Sequence, residues 1–278
     1  MKNPLYNLSG VDFAYDHSGG RFALKSVDLG IYPREFLALI GPIGSGKTTL
    51  LKLLLGLLKP TSGEVLFEGS PLPRKGNRLR KVRRRVGMVF QFAENQIFEA
   101  TVLEEVLFGL KNFEFPRDQL EILARQGMEM VGLEAEKFAD KSPFELSAGE
   151  KKRLALASVL ALKPEMLLLD EPAAGLDSSG RKALLEILRK HGETGGLVLV
   201  THDLDLALEL CSRVVILFRG EKAYDGGREI FYDFDFLQKC ALSPPDFTLA
   251  WTELTKAGMT NREMVFDLSS AEKSIKRK

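Results

Sequence analysis

The stretch Gly41-Pro42-Ile43-Gly44-Ser45-Gly46-Lys47-Thr48-Thr49 constrains this chain more than any other. It fits G-x-x-x-x-G-K-T and lies between an apolar run, Phe36-Leu-Ala-Leu-Ile40, that reads as a buried strand, and Leu50–Leu55, which reads as a helix. A strand, loop and helix of this composition form a phosphate loop. Glycines let the backbone N–H groups converge on an anion, and the helix N-terminus adds unpaired donors and positive potential. Lys47 can reach the β- and γ-phosphates of a nucleotide, and the Thr48 hydroxyl can ligate Mg²⁺. The expected fold class is therefore α/β, with nucleotide binding built into it.

The rest of the chain is organised around that loop. Residues 5–40 read as strand segments, with alternation over Val11-Asp-Phe-Ala-Tyr15 and spaced apolar residues over Leu24–Leu29; His17-Ser-Gly-Gly20 reads as a turn and Glu64–Phe67 as a short strand. Residues 101–163 read as mostly helical, with amphipathic spacing over Leu120–Val131. Met166–Leu169 and Leu197–Val200 read as buried parallel strands, and Arg213–Phe218 as another strand. Ser178–His191 reads as a helix with a serine N-cap. The alternation stops after Gly227. This divides the chain into a nucleotide-binding domain, residues 1–227, and a partly helical C-terminal extension, residues 228–278. The run Arg74–Arg85 and the tail Lys276-Arg-Lys278 are basic, and the favoured reading is a solvated face.

A net charge of +1 gives no global drive toward nucleic acid. No apolar run approaches the roughly 20 residues that cross a bilayer, and Met1–Asn7 has no signal-peptide core. Any service to a membrane is expected from its cytoplasmic face, through a partner. The two cysteines, Cys211 and Cys240, fit buried thiols better than a disulfide.

A phosphate loop alone fits kinases, GTPases, helicases and transport ATPases, so the second half of the chain must decide. Met166-Leu-Leu-Leu-Asp170-Glu171 is an apolar strand ending in two carboxylates. Asp170 is placed to hold Mg²⁺, and Glu171, one residue on, to orient or deprotonate an attacking water. Between the two motifs lies Leu146-Ser147-Ala148-Gly149-Glu150-Lys151-Lys152-Arg153. A serine and small residues opening a helix can offer hydroxyl, N–H and helix dipole to a phosphate.

In this order the motifs resemble those of ATP-binding-cassette ATPases, whose signature reads L-S-G-G-Q, over roughly residues 5–227. The resemblance implies a phosphate-loop core with an antiparallel β subdomain and a helical subdomain at about 101–163. It implies that Ser147, Gly149 and Glu150 face ATP held by an opposite subunit. Gln91 would touch Mg²⁺ and water, His202 would contact the γ-phosphate, Asp177 would meet the partner subunit, and Tyr15 would stack on adenine. No guanine-reading Asn-Lys-x-Asp motif occurs. Cassette ATPases acting on DNA or ribosomes carry long coiled coils or two cassettes, and this chain has one cassette without heptads.

Gln91-Phe-Ala-Glu-Asn-Gln-Ile-Phe98, Thr101–Gly109 with Asn112, and Ile230-Phe231 with Leu242-Ser-Pro-Pro245 carry a narrower resemblance, to the ATPase subunits of energy-coupling factor transporters. That resemblance implies uptake of a vitamin or transition-metal ion, a second ATPase that need not be identical, an integral membrane coupling protein and a substrate-capture membrane protein. Phe92, Ile97 and Phe98 are then expected beside a groove for a helix of the membrane partner. Other cassette importers or exporters are the alternative. Ile43, Ala148, Glu150 and Ala173 depart from common cassette patterns. Glu150 matters most: two unit charges about 6 Å apart at an effective dielectric near 20 repel by roughly 3 kcal/mol. That repulsion, repeated in both sites of a homodimer, motivates a non-identical partner.

Overall fold

A computed structural model describes residues 3–15, 22–260 and 264–275. The expected turn at His17–Gly20 and the tail Lys276–Lys278 lie outside the described residues.

The chain opens with β1 (Tyr6–Ala14) and β2 (Phe22–Ile31), then β3 (Phe36–Ile40), whose end releases the phosphate loop into α1 (Lys47–Leu54). β4 (Ser62–Phe67) and the two-residue β5 (Ser70–Pro71) follow, then α2 (Gly76–Arg85) and β6 (Val86–Val89). Helices α3 (Val102–Lys111), α4 (Leu120–Met130), α5 (Ala135–Phe138) and α6 (Ala148–Leu160) form the helical region. The alternation resumes with β7 (Met166–Asp170), α7 (Ser178–Gly192), β8 (Gly196–Val200), α8 (Leu204–Leu210), β9 (Arg213–Phe218) and β10 (Glu221–Gly227). Three helices complete the described chain: α9 (Phe234–Lys239), α10 (Asp246–Lys256) and α11 (Leu268–Ser274).

Two sheets result. One has the order β2-β1-β4-β5 and is antiparallel; the other has the order β10-β9-β3-β8-β7-β6. The second is parallel from β9 to β6, with β10 antiparallel at its edge. The period of two in β3 assigns its faces. Leu37 and Leu39 pack with Leu50, Leu51 and Leu54 of α1 and with the antiparallel sheet, whereas Ala38 and Ile40 pack with α6, α7, α8 and the helical region. Both faces are covered, which explains the uninterrupted apolar runs of β7 and β8.

Two local readings change. The residue that caps α7 is Asp177, whose carboxylate accepts from Gly180 N at 2.7 Å; Ser178 is the first helical residue. A carboxylate there serves the helix dipole better than a hydroxyl, and the sequence offered both in adjacent positions. The extension is also not of one kind. Ile230, Phe231, Leu237 and Cys240 are buried in the main core, whereas Trp251, Val265 and Ala271 form a small separate cluster. Asp205 of α8 ties the two parts, accepting from Asp246 N and Phe247 N at the start of α10. Cys211 and Cys240 are free and buried. Among the described residues no helix is long and apolar enough to cross a membrane.

Candidate functional site

Adjacent parallel strands deliver their chemistry at their carboxyl ends, where α/β sheets place ligands. β3 leads to the phosphate loop, β6 toward Gln91, β7 to Asp170 and Glu171, and β8 to His202. Because β8 lies between β3 and β7, with Asp170 in register with Val200, residues far apart in sequence share one edge.

The loop is shaped for a close ligand. At Gly41, φ is +149°, and a Cβ there would lie 2.1 Å from the Leu217 carbonyl oxygen, so only glycine fits. Lys47 Nζ donates to Gly41 O at 2.7 Å and Pro42 O at 2.9 Å, folded back over the cradle. Burial lowers its pKa, opposed by the charges of Glu171 and Asp170. Such a desolvated ammonium gains most when a polyphosphate arrives. Ser45 and Thr49 are buried, while Ile43 points into solvent.

Thr48 Oγ1 donates to Asp170 Oδ2 at 2.8 Å, joining phosphate loop and β7. Burial raises Asp170 above the usual carboxylate range, against the Thr48 hydrogen bond, and neighbouring Glu171 adds to the rise. A hydroxyl and a carboxylate, both oxygen donors, with the carboxylate largely desolvated, suit a hard divalent cation such as Mg²⁺. Glu171 sits at φ +52°, an uncommon conformation for a non-glycine residue, and its N–H donates to Val200 O. One carboxylate oxygen, Oε2, accepts from His202 N at 3.2 Å and lies 2.8 Å from His202 Nδ1. His202 is otherwise exposed, so the imidazole and the other Glu171 oxygen remain available to a ligand.

Tyr15 is exposed and edge-on to Phe13, and its hydroxyl lies 3.0 Å from Thr49 Oγ1, which fixes an aromatic face beside the loop. Gln91 is exposed at the start of the segment that ends at Phe98. In that segment Phe92, at φ +58°, and Phe98 are exposed, Ile97 is half-buried, and Phe98 stacks edge-on against Phe108 of α3.

Ser147 caps α6. Its hydroxyl accepts from Glu150 N at 3.3 Å, and Glu150 Oε2 accepts from Ser147 N at 2.8 Å and Ser147 Oγ at 2.7 Å. The Ser147 hydroxyl and then its N–H hold the Glu150 carboxyl below the usual range. As the last residue of the signature, Glu150 is expected as a free charge facing a phosphate. The structure turns it onto its own helix cap, because Ser-x-x-Glu is also a capping box. Two residues went unnoticed in the sequence. Lys152 Nζ donates to Ala174 O and lies 3.9 Å from Glu94 Oε1. Arg181 pairs with Asp203, next to His202. Neither pairing carries a spacing signal, since each joins segments more than twenty residues apart.

The chain is similar to known proteins in sequence and in fold. Residues 24–174 match the family described as ABC transporter. The chain is 39% identical over 256 residues, 91% of this chain and 89% of the relative, to the energy-coupling factor transporter ATP-binding protein EcfA2 of Clostridium tetani. It superposes with TM-score 0.75 and 32% identity on cbiO1 of Clostridium perfringens, part of the ABC transporter complex cbiONQ, covering 86% of this chain and 94% of that one. It also superposes with TM-score 0.71 and 32% identity on the ATP-binding cassette MJ0796, a dimer bound to ADP and Pi, covering 80% and 98%.

Proposed function

The chain belongs to the ATP-binding-cassette transporter family, and we infer that it is the ATP-hydrolysing subunit of an energy-coupling factor importer. The observation that carries this reading is the meeting of Thr48, Asp170, Glu171 and His202 at the ends of β3, β7 and β8. Tyr15 offers the face for adenine, and Gly41–Thr49 with Lys47 bind the phosphates. Thr48 and Asp170, with Gln91, would hold Mg²⁺, which when bound offsets the phosphate charge and fixes its orientation. Glu171 Oε2 is held by His202, and its free oxygen takes a proton from water in front of the γ-phosphate. Ser147, Gly149 and Asp177 are assigned to the nucleotide of a second ATPase.

The assembly we propose has that second, non-identical ATPase, an integral membrane coupling protein and a substrate-capture membrane protein, with no nucleic acid. The chain sits peripherally on the cytoplasmic face of the membrane, and the cargo is a vitamin or a transition-metal ion. The exposed Phe92 and Phe98 and the half-buried Ile97 support docking of a membrane partner there, since a lone soluble cassette has no use for such a cluster.

The test is co-purification from solubilised membranes followed by ATPase assay. Integral membrane partners and Mg²⁺-dependent turnover are expected, with Glu171→Gln retaining ATP binding and losing about 10²-fold in kcat. Recovery of DNA or ribosomes instead, or wild-type turnover in the variant, refutes the assignment.

A further inference from the structure

Lys152 lies on the signature helix α6 but does not serve its cap. Its ammonium donates to the carbonyl of Ala174 and faces the Glu94 carboxylate at 3.9 Å. The Lys152 and Glu94 side chains are each only 19% exposed, so this is a largely desolvated pair and not a rim contact. Each end leads somewhere definite. Glu94 belongs to the short turn Ala93–Gln96, between the exposed Phe92 and Phe98. Ala174 belongs to the loop from Glu171 to Asp177, and its N–H donates to Glu171 O at 3.2 Å. The Glu171 backbone is at φ +52°, where a small movement re-aims the side chain.

We infer that Lys152 is a positioning residue that couples the Gln91–Phe98 segment to the catalytic carboxylate. The path runs from the Glu94 carboxylate through the Lys152 ammonium to the Ala174 peptide, and from there to the Glu171 backbone. The steps between residues are hydrogen bonds and an ion pair, joined at Ala174 through its own backbone from carbonyl to N–H, and the path crosses three elements distant in sequence. The cation is central because it contacts both sides. A force that shifts Glu94 withdraws charge from Lys152 and alters its hold on Ala174. A tethered ammonium on a carbonyl is strong enough to matter and reversible enough to switch. The role rests on the ATPase and docking reading above.

The experiment compares ATPase kinetics of the complex purified from membranes, carrying wild type, Lys152→Met, Lys152→Arg, Glu94→Gln or the Lys152→Met/Glu94→Gln pair. Lys152→Met is expected to lower kcat about ten-fold, equal to about 1.4 kcal/mol, with KM for ATP within about two-fold. Lys152→Arg should recover most of the loss, since it restores a donor and a charge. Glu94→Gln should cost about three-fold, and the double variant should match Lys152→Met alone instead of reaching the roughly thirty-fold product. Wild-type kcat in Lys152→Met, a change confined to KM, or multiplying effects would overturn the role. If Lys152→Met does not assemble, the Arg and Gln variants decide: an unaltered Glu94→Gln, or a Lys152→Arg as slow as a broken enzyme, overturns it. An inactive wild-type complex removes the function and this role together.

Discussion

Exchanging Gly41 for alanine isolates the geometric demand of the phosphate loop, and Gly44→Ala is its internal control. At Gly41 the new methyl would lie 2.1 Å from Leu217 O and 3.2 Å from Leu217 C. Leu217 is buried in β9 and paired with Lys222 of β10, while β9 pairs on its other side with β3. The carbonyl therefore cannot retreat without distorting two ladders. Backbone strain at φ +149° costs about 1–3 kcal/mol, and forced overpacking about 1–3 more. At Gly44 a Cβ meets nothing within 4 Å, which leaves only left-handed strain of about 1–2 kcal/mol at φ +77°. At roughly 2–4 °C per kcal/mol, Gly41→Ala should lower the melting temperature by about 4–24 °C and Gly44→Ala by about 2–8 °C. Thermal unfolding followed by circular dichroism reads both, and nucleotide titration of the folded fraction reads the loop. Gly41→Ala should also lose ATP binding, because the clash lies at the base of the cradle. Equal melting temperatures for the two variants would refute the reasoning, since they would mean that β9 does not confine the loop.

Asp170→Asn tests the electrostatics. Burial raises the Asp170 pKa, so the stability tied to this group is complete below the ordinary carboxylate range and is lost as pH rises through the raised value. The nucleotide-free variant should melt above wild type near about pH 7.5, converge with it near about pH 4, and lose Mg²⁺-dependent turnover; a variant no more stable at the higher pH contradicts the burial argument. Phe92→Ser with Phe98→Ser should leave the melting temperature within about 2 °C, because both rings are exposed, yet prevent co-purification with membrane partners. Intact assembly would place docking elsewhere. Glu150→Gln keeps an acceptor for Ser147 N and should preserve the helix cap, so its melting temperature should exceed that of Glu150→Ala by about 1 kcal/mol equivalent. Equal stability of the two would deny the capping box.

The fold was legible wherever burial imposes a strong pattern. β3, β7 and β8 are covered on both faces, so their apolar runs are unbroken and easily read. β1 lies within the region read as strand, but its alternation is clear only over Val11–Tyr15, because its pairing with β2 shifts register between Leu8 and Val11 and between Val11 and Phe13. Each shift breaks the period of two that a reader follows. The extension misled for another reason. Ile230 and Phe231 lie in a 3-10 turn with no periodicity, yet fill the main core. In the site, motifs located the loop, the acidic pair and His202, since each is local in sequence. The bond of Thr48 to Asp170 was foreseeable from the metal role proposed for both, whereas the Lys152 bridge depends on the packing of α6 against two loops.

Glu150 shows how one residue can satisfy two patterns that predict different chemistry. Read as the last letter of a phosphate-facing signature, it is a misplaced charge whose repulsion of about 3 kcal/mol at 6 Å argues against pairing with an identical subunit. Read as the fourth letter of Ser-x-x-Glu, it is an ordinary helix cap. The local hydrogen bonds favour the second: three of them hold carboxylate, hydroxyl and both N–H groups together. In the composite sites proposed above, an asymmetry would then work through the hydroxyl more than through the charge. Ser147 Oγ spends its proton on Glu150 Oε2, so offering that proton to a phosphate means giving up one charge-assisted bond of the cap. With the carboxylate drawn back and exposed to solvent, its through-space repulsion is weakened by screening, and the cost of re-aiming Ser147 takes its place. A signature ending in an uncharged amide would release the hydroxyl more readily, because its bond to the cap is a neutral one. The proposed non-identical second ATPase then rests on a different footing: a partner whose signature ends in an uncharged amide would supply one site with a more easily freed serine, while this chain supplies the other with a serine held by its own helix.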